Sequence, residues 1–310
     1  MNPAQDVIAM RLAAGLVLSS AVGWFAYRRK ALSRSGVIGA IFTGTLVFGF
    51  GGIFSGLLLI TFFATSSALS QYKSARKHAA YEQFDKGNQR DLGQALANGG
   101  VATACAIGCG IWLLNGAPAA VIAMWLAGLM GALAAANADT WATELGVLSR
   151  TPPRLITRLA QIVEPGTSGG VTLVGTIAAF TGALFIGLVT VGLASLGIVM
   201  FGAQPQPWVV LTNLSLAHAT RGLLLLLVAL LGGFSGSLLD SLLGATLQAM
   251  YYSERRDKIT ERASERDGTP NQLVRGWRWL NNDWVNFSAT LCGAALSSLV
   301  TLAARSIFNA

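Results

Sequence analysis

Apolar runs long enough to cross a bilayer dominate this chain, at about Val7–Tyr27, Gly36–Phe50, Ile53–Ser70, Gln94–Leu114, Ala117–Ala138, Gly170–Phe201, Arg221–Tyr252 and Val285–Ile307. That makes eight runs if the glycine-rich "GFGG" separates the second from the third. A hydrocarbon core of about 30 Å needs about 20 apolar residues in a helix. With no water there to satisfy backbone N–H and C=O groups, such runs must be helical. The expected fold class is therefore all-α: a polytopic transmembrane helix bundle of about seven or eight segments, some broken or re-entrant, in a single integral-membrane domain over 1–310. Composition agrees, since 53% hydrophobic residues, only 12% charged residues and a mean hydropathy of +0.55 do not suit a soluble domain. Gly36–Phe50 would span only about 22 Å, which leaves a tilted span or a re-entrant half-helix. No small-residue cleavage site closely follows a short apolar core, so Val7–Tyr27 reads as a retained helix.

Charge placement sets the expected orientation. Of the 22 Lys and Arg residues, 19 fall in connections at about 28–35, 71–93, 139–169 and 253–284. Taking the basic side as cytoplasmic puts these four loops inside and, with an even span count, both termini outside a membrane like the bacterial inner membrane. The aromatics Trp24, Tyr27, Tyr72, Tyr251, Tyr252, Trp277, Trp279 and Trp284 flank these loops as interfacial anchors would. The net charge of +8 follows from these connections, and no nucleic-acid partner is expected. Cys105, Cys109 and Cys292 lie inside apolar runs without metal-ligand spacing and read as packing residues.

Polar residues inside the runs mark the candidate site. In "AAANADTWATELG", Asn137, Thr140 and Glu144 share one helical face and Asp139 and Thr143 another, with the carboxylates of Asp139 and Glu144 about 140° apart. They cannot meet on one ion unless the helix ends or bends between them. Asp139 has a natural partner in Asp240, which lies on a stripe of small residues, Gly233, Ser237 and Gly244. The run around Asp240 would measure about 48 Å as one helix, so we expect it to protrude or to break at Gly232 and Gly233. Lys73, Arg76 and Lys77 share a face able to hold phosphate, and Arg90, Gln94 and Asn98 put a polar stripe into the start of an apolar helix. In "EPGTSGG", Gly166, Thr167, Ser168 and Gly169 lead toward a helix and suit either a simple cap or a phosphate cradle. The charge-laced stretch after Tyr252, with Glu254 and Lys258 four apart, reads as solvated surface, and Asn282, Asp283 and Asn286 carry polarity into the last span.

Five ordered motifs, "QALANGG", "NADTWATELG", "PGTSGGVTLVG", "GSLLDSLLGATLQ" and "NNDWVNFSAT", resemble those of the integral-membrane family that includes phytyl-phosphate kinase of the tocopherol pathway and transmembrane protein 19. The resemblance covers about Arg90 to Ala294 and implies a kinase that transfers a phosphoryl group from a nucleoside triphosphate, CTP or ATP, to an isoprenyl monophosphate in the membrane. The residues suit that chemistry. A phosphate monoester has a second pKa near 6 and needs little base catalysis at neutral pH. Phosphoryl transfer asks mainly for positioning and charge neutralisation. Asp139 and Asp240 are thus expected to ligate Mg²⁺, with Glu144 as a third or supporting ligand. Lys73, Arg76, Arg90, Asn98 and Asn286 join the Gly166–Gly169 turn in binding the nucleotide and lipid phosphates. Alternatives are a prenyl alcohol kinase, a CTP-dependent lipid nucleotidyltransferase and, in another class, a transporter coupled through Asp139 and Asp240.

Overall fold

A computed structural model describes residues 3–72, 89–201, 218–265 and 267–308. Helices α1 (Pro3–Arg28), α2 (Arg34–Gln71), α3 (Leu92–Leu114), α4 (Ala119–Gly146), α5 (Leu173–Phe201), α6 (His218–Thr246) and α7 (Asn282–Phe308) carry the bundle. Among the described residues, all seven are long and apolar enough to cross a membrane. Between α4 and α5 lie strands β1 (Arg154–Leu155), β2 (Arg158–Ile162) and β3 (Gly170–Val171). Between α6 and α7 lie β4 (Met250–Ser253), β5 (Lys258–Thr260) and β6 (Gln272–Arg275). Each set forms a small antiparallel sheet, in the orders β2-β1-β3 and β5-β4-β6.

The second and third apolar runs form a helical hairpin. Gly52 sits at φ 81° and ψ 179° between two helical arms, a conformation that glycine adopts without a Cβ penalty. The reversal is geometrically required. In a straight helix Gly36 and Phe62 would lie about 39 Å apart. Both nevertheless meet Arg90: a Cβ on Gly36 would fall 2.0 Å from its carbonyl oxygen, and its guanidinium stands 5.7 Å from the Phe62 ring centre. Each arm is about 27 Å long, nearly enough to cross the hydrocarbon layer. "GFGG" therefore does divide two segments, which run antiparallel as a hairpin.

Helix α4 is the axis of the molecule. It packs against α2, α3, α5, α6 and α7, and Leu126, Leu129, Met130 and Leu133 are fully buried. Small residues set its closest contacts. A Cβ on Gly233 of α6 would meet Ala134, one on Gly236 would meet Ala135, and one on Gly131 would strike Ser297 and the Gly293 carbonyl of α7. The "GG" of α6 thus serves helix crossing rather than a break. α6 runs unbroken to Thr246, about 43 Å, and Met250–Ser253 turn away as β4. Asn137 fixes the rotation of α4: its amide donates to the Gly182 carbonyl of α5 and its oxygen accepts from Thr65 of α2.

The charged connections share one face. Leu32 bridges to Arg90, Ser70 donates to Glu144, Gly146 packs on Thr172, and Ser168 donates to Gln248. At the other face α1 meets the hairpin tip, where Leu12 packs on Gly49, and Met124, near the start of α4, meets Ser298 of α7. Two loop expectations change. Asp139 and Glu144 lie within α4 rather than in a loop, because α4 continues to Gly146. The segment after Tyr252, expected as charge-laced solvated surface, is a β-hairpin with Tyr252 opposite Ile259, and it buries Glu265. Its charges pair across the turn instead, Arg256 with Glu265 at 2.9 Å and Arg255 with Asp267 at 3.0 Å.

Candidate active site at the charged face

Parallel packing of α4 and α6 brings two carboxylates together. The contacts Ala134–Gly233 and Ala135–Gly236 fix a register that places Asp139 beside Asp240, each about 10 Å short of the end of its helix. The two carboxyl groups are in hydrogen-bonding contact. One oxygen of Asp240, Oδ2, is buried and accepts no hydrogen bond from a donor group. A buried carboxylate oxygen without a donor is costly, and a second carboxylate beside it adds repulsion unless a cation or proton intervenes.

Above the pair opens a cleft of about 370 Å³. Asp139, Thr143 and Gly146 of α4 line one wall, Thr172 to Ala179 of α5 another, and Phe234 to Ser241 of α6 a third. Arg150 and the turn Pro165–Gly169 roof it. The turn is built from successive backbone bonds, Thr167 N–H to the Glu164 carbonyl and Gly170 N–H to the Thr167 carbonyl. Gly166 and Gly169 have φ of 92° and 81°. Among the described residues, the N–H groups of Gly166, Ser168 and Gly169 have no hydrogen-bond acceptor. Unpaired N–H groups in such a turn are of the kind that can hold an anion.

The cap reading of this stretch is corrected. The N-cap of α5 is Thr172, whose hydroxyl accepts from Gly175 N–H at 3.0 Å, and β3 separates the turn from the helix. Ser168 instead donates to Gln248 Oε1 at 2.6 Å, and the Gln248 amide donates to Glu261 at 2.8 Å. Gly169 has a scaffold role too, since a Cβ there would lie 2.4 Å from the Ala245 nitrogen. Arg275 secures the same corner by donating to the Gly244 carbonyl at the end of α6.

Not every expected site residue joins this cleft. Glu144 is buried on the opposite face of α4, accepting from Ser70 and acting electrostatically on Arg90. It does not complete a three-ligand set with Asp139 and Asp240. Indeed, no group of three or more His, Cys, Asp or Glu side chains able to hold a metal is found among the described residues. Arg90 and Asn98, with Gln94, line a separate apolar pocket of about 80 Å³ among α1, α2 and α3. There the Arg90 guanidinium stacks on Phe62 and Phe63, and burial pulls its pKa down to about 10 against the opposing pull of Glu144. Asn286 is half-buried on α7 and lines neither cavity. Lys73 and Arg76 lie outside the described residues.

Other residues enter the site unforeseen. Arg150, one charge of a basic loop in the sequence, lines the cleft, and Gln248, the last residue of "GSLLDSLLGATLQ", and Glu261 support the turn from behind. Glu261 is within electrostatic reach of Asp240 although it lies in the extramembrane segment after β5. Arg150 lies four residues beyond the end of the Asp139 helix, which is the sequence signal for its place.

Helix count and sidedness define a polytopic integral membrane protein with a polar cleft sunk into its charged face. More narrowly, the chain belongs to the DUF92 family of integral membrane proteins, whose sequence profile matches residues 17–294. It is 34% identical over 298 residues to Protein PGR of Arabidopsis thaliana, covering 94% of this chain and 96% of that protein. It is 29% identical over 291 residues to the uncharacterized membrane protein MJ0933 of Methanocaldococcus jannaschii, covering 94% of each. No solved structure matches the chain.

Proposed function

We propose that this protein is a Mg²⁺-dependent phosphotransferase, converting an isoprenyl monophosphate to its diphosphate with a nucleoside triphosphate, CTP or ATP, at the cytoplasmic face. One observation carries the reading: Asp139 and Asp240, in contact beneath an anion-cradling turn and Arg150, with a buried Asp240 oxygen left unpartnered. The family resemblance supplies the substrate class.

The donor set fits Mg²⁺. That ion takes oxygen ligands, keeps several waters and is held in many phosphoryl-transfer sites by one or two carboxylates plus substrate phosphates. Asp139 and Asp240 would hold it, and it would neutralise charge on the transferring phosphoryl group. The turn N–H groups and Arg150 bind phosphate oxygens and orient the donor. Thr143, Thr172 and Ser241 are hydroxyl residues of the cleft wall, and in this reading they complete the phosphate contacts. An oxygen of the lipid monophosphate attacks the γ-phosphorus as the bond to the β,γ-bridging oxygen breaks, releasing the nucleoside diphosphate. No residue need abstract a proton, because the acceptor is largely dianionic at neutral pH.

The test offers purified protein prenyl phosphates and prenyl alcohols with each nucleoside triphosphate and identifies products by mass. A prenyl diphosphate from the monophosphate is expected. A monophosphate formed from the alcohol would replace this reading with an alcohol kinase, and a nucleotidyl adduct with a nucleotidyltransferase. No nucleotide-dependent product would end the enzymatic reading.

A further inference from the structure

The cleft does not stop at the membrane surface. From Thr172 to Ala179 on α5, and from Ser241 to Phe234 on α6, its walls descend seven residues, about 10 Å, along two antiparallel helices. Below that level the helices touch: a Cβ on Gly233 would fall 2.7 Å from that of Ala183, and one on Gly187 would fall 3.0 Å from that of Ala229. The pair is closed deep in the bilayer and parts toward the charged face. Its upper end holds Asp139, Asp240 and Arg150, and its lower end Ala179, Phe234 and Leu238. Thr176 and Leu238 line the slot and are exposed, and their neighbours Ile177 and Leu242 are exposed without lining it, so the slot's edge meets the outer surface of the bundle there. The slot is therefore open sideways, at a depth where the surroundings are hydrocarbon.

We propose that the α5–α6 slot is the lateral gateway and chain-binding groove of a membrane-dissolved lipid phosphate. Its headgroup reaches Asp139, Asp240 and the turn from within the bilayer, and the first part of its hydrocarbon chain lies against Ala179, Phe234 and Leu238. The phosphate headgroup rests on the phosphotransferase reading; the chain path rests on the slot itself. Cleft and occupant match end for end, with cation and free N–H groups above and apolar side chains below. The 80 Å³ pocket beside Phe62 and Phe63 is the competing location for a chain, but α4 stands between it and the aspartates. The first part of the chain is then read by protein and the remainder dissolves in lipid, so Phe234 and Leu238 set selectivity near the headgroup.

Two measurements test this. A phytyl-length isoprenyl monophosphate with a diazirine on its chain near the headgroup is photolysed with the wild-type protein in lipid nanodiscs, and adducts are mapped by mass spectrometry. Adducts concentrated on residues 176–180 and 234–242 are expected, displaced by unlabelled lipid phosphate. Adducts at Phe62 and Phe63, or spread evenly over lipid-facing residues, would overturn the proposal even if phosphotransfer occurs. Slot adducts without turnover on any nucleotide would leave the slot standing and sink the kinase reading. In the turnover arm, Thr176→Trp and Leu238→Trp should raise KM for the phytyl-length substrate roughly tenfold while changing KM for dimethylallyl phosphate roughly threefold or less. Leu227→Trp, lipid-facing on α6 and away from the slot, should behave as wild type. Equal effects on long and short substrates, or none on either, would also overturn the gateway.

Discussion

Two regions of this molecule bury charge in opposite ways. In the first, α1, the α2 hairpin and α3 surround Arg90, a cation stacked on Phe62 and Phe63 with the anionic Glu144 within reach. In the second, α4, α5 and α6 bring together Asp139 and Asp240, like charges in contact with one oxygen lacking a donor. Opposite charges beside aromatic faces are satisfied as they stand. Like charges beneath an open cleft are not, and they call for a cation or a shared proton. The contrast separates charge that is satisfied from charge that is not, and the proposed chemistry uses the second kind.

The largest effect should come from the aspartates. Asp139→Asn and Asp240→Asn should each lower phosphotransfer at least about 10²- to 10³-fold, the scale for losing a group that stabilises transition-state charge. Melting of the detergent-solubilised protein should be unchanged or raised, because a repulsion is relieved. Near-normal turnover in both variants at saturating Mg²⁺ would erase the distinction between the regions.

Arg90→Leu should do the reverse, lowering stability by about 3 kcal/mol by removing the cation that acts on the buried Glu144 carboxylate, with kcat largely kept. A partial rescue in the Arg90→Leu, Glu144→Gln double variant would measure the coupling. Should Arg90→Leu abolish turnover while the melt stays put, Arg90 binds phosphate and the first region carries chemistry after all.

Gly169→Ala falls next. The new Cβ meets the Ala245 backbone, and its φ of 81° disfavours any side chain. A stability loss of about 1–3 kcal/mol is expected, so a substitution there reports the scaffold together with the phosphate cradle. Ser168→Ala is the milder probe: losing its bond to Gln248 should cost about 1 kcal/mol in thermal or denaturant melts.

The smallest effect is a pH response outside the membrane. A hydrogen bond from Ser253, joined by Asn271 and Arg256, holds the Glu265 carboxyl below its ordinary range. A depressed carboxylate stabilises the fold above its unfolded value, near 4.3, and that contribution fades as pH falls through the lower folded value. The near-ultraviolet dichroism of the stacked Trp277 and Trp279 beside β6 should therefore loosen below about pH 4.3, with a smaller response in Glu265→Gln. An unchanged response in that variant would place the titrating group elsewhere.

The bundle was legible in the chain because hydrocarbon leaves a long apolar run only one way to satisfy its backbone. The sidedness of the basic loops was legible for a related reason, since charge sorts across a membrane by position in sequence. The two faces of "NADTWATELG" also followed from helical period alone: Asp139 and Thr143 line the cleft, and Glu144 turns toward Ser70. The strands were not legible. β1 and β3 are two residues each, too short for any alternation, and Arg and Glu in the segment after Tyr252 read as solvent-facing until their cross-turn pairing is seen.

What the sequence by itself determined is what each segment could be: a span, a charged loop, a glycine-rich turn, a carboxylate too costly to bury without purpose. Which of these meet was decided only by tertiary packing. Asp139 pairs with Asp240 because Ala134 and Ala135 of α4 accept Gly233 and Gly236 of α6 in one register. Arg90 is kept apart because the chain reverses at Gly52 and folds both arms of α2 around it. Both outcomes depend on close contacts between residues far apart in sequence, and helical period carries no information about those.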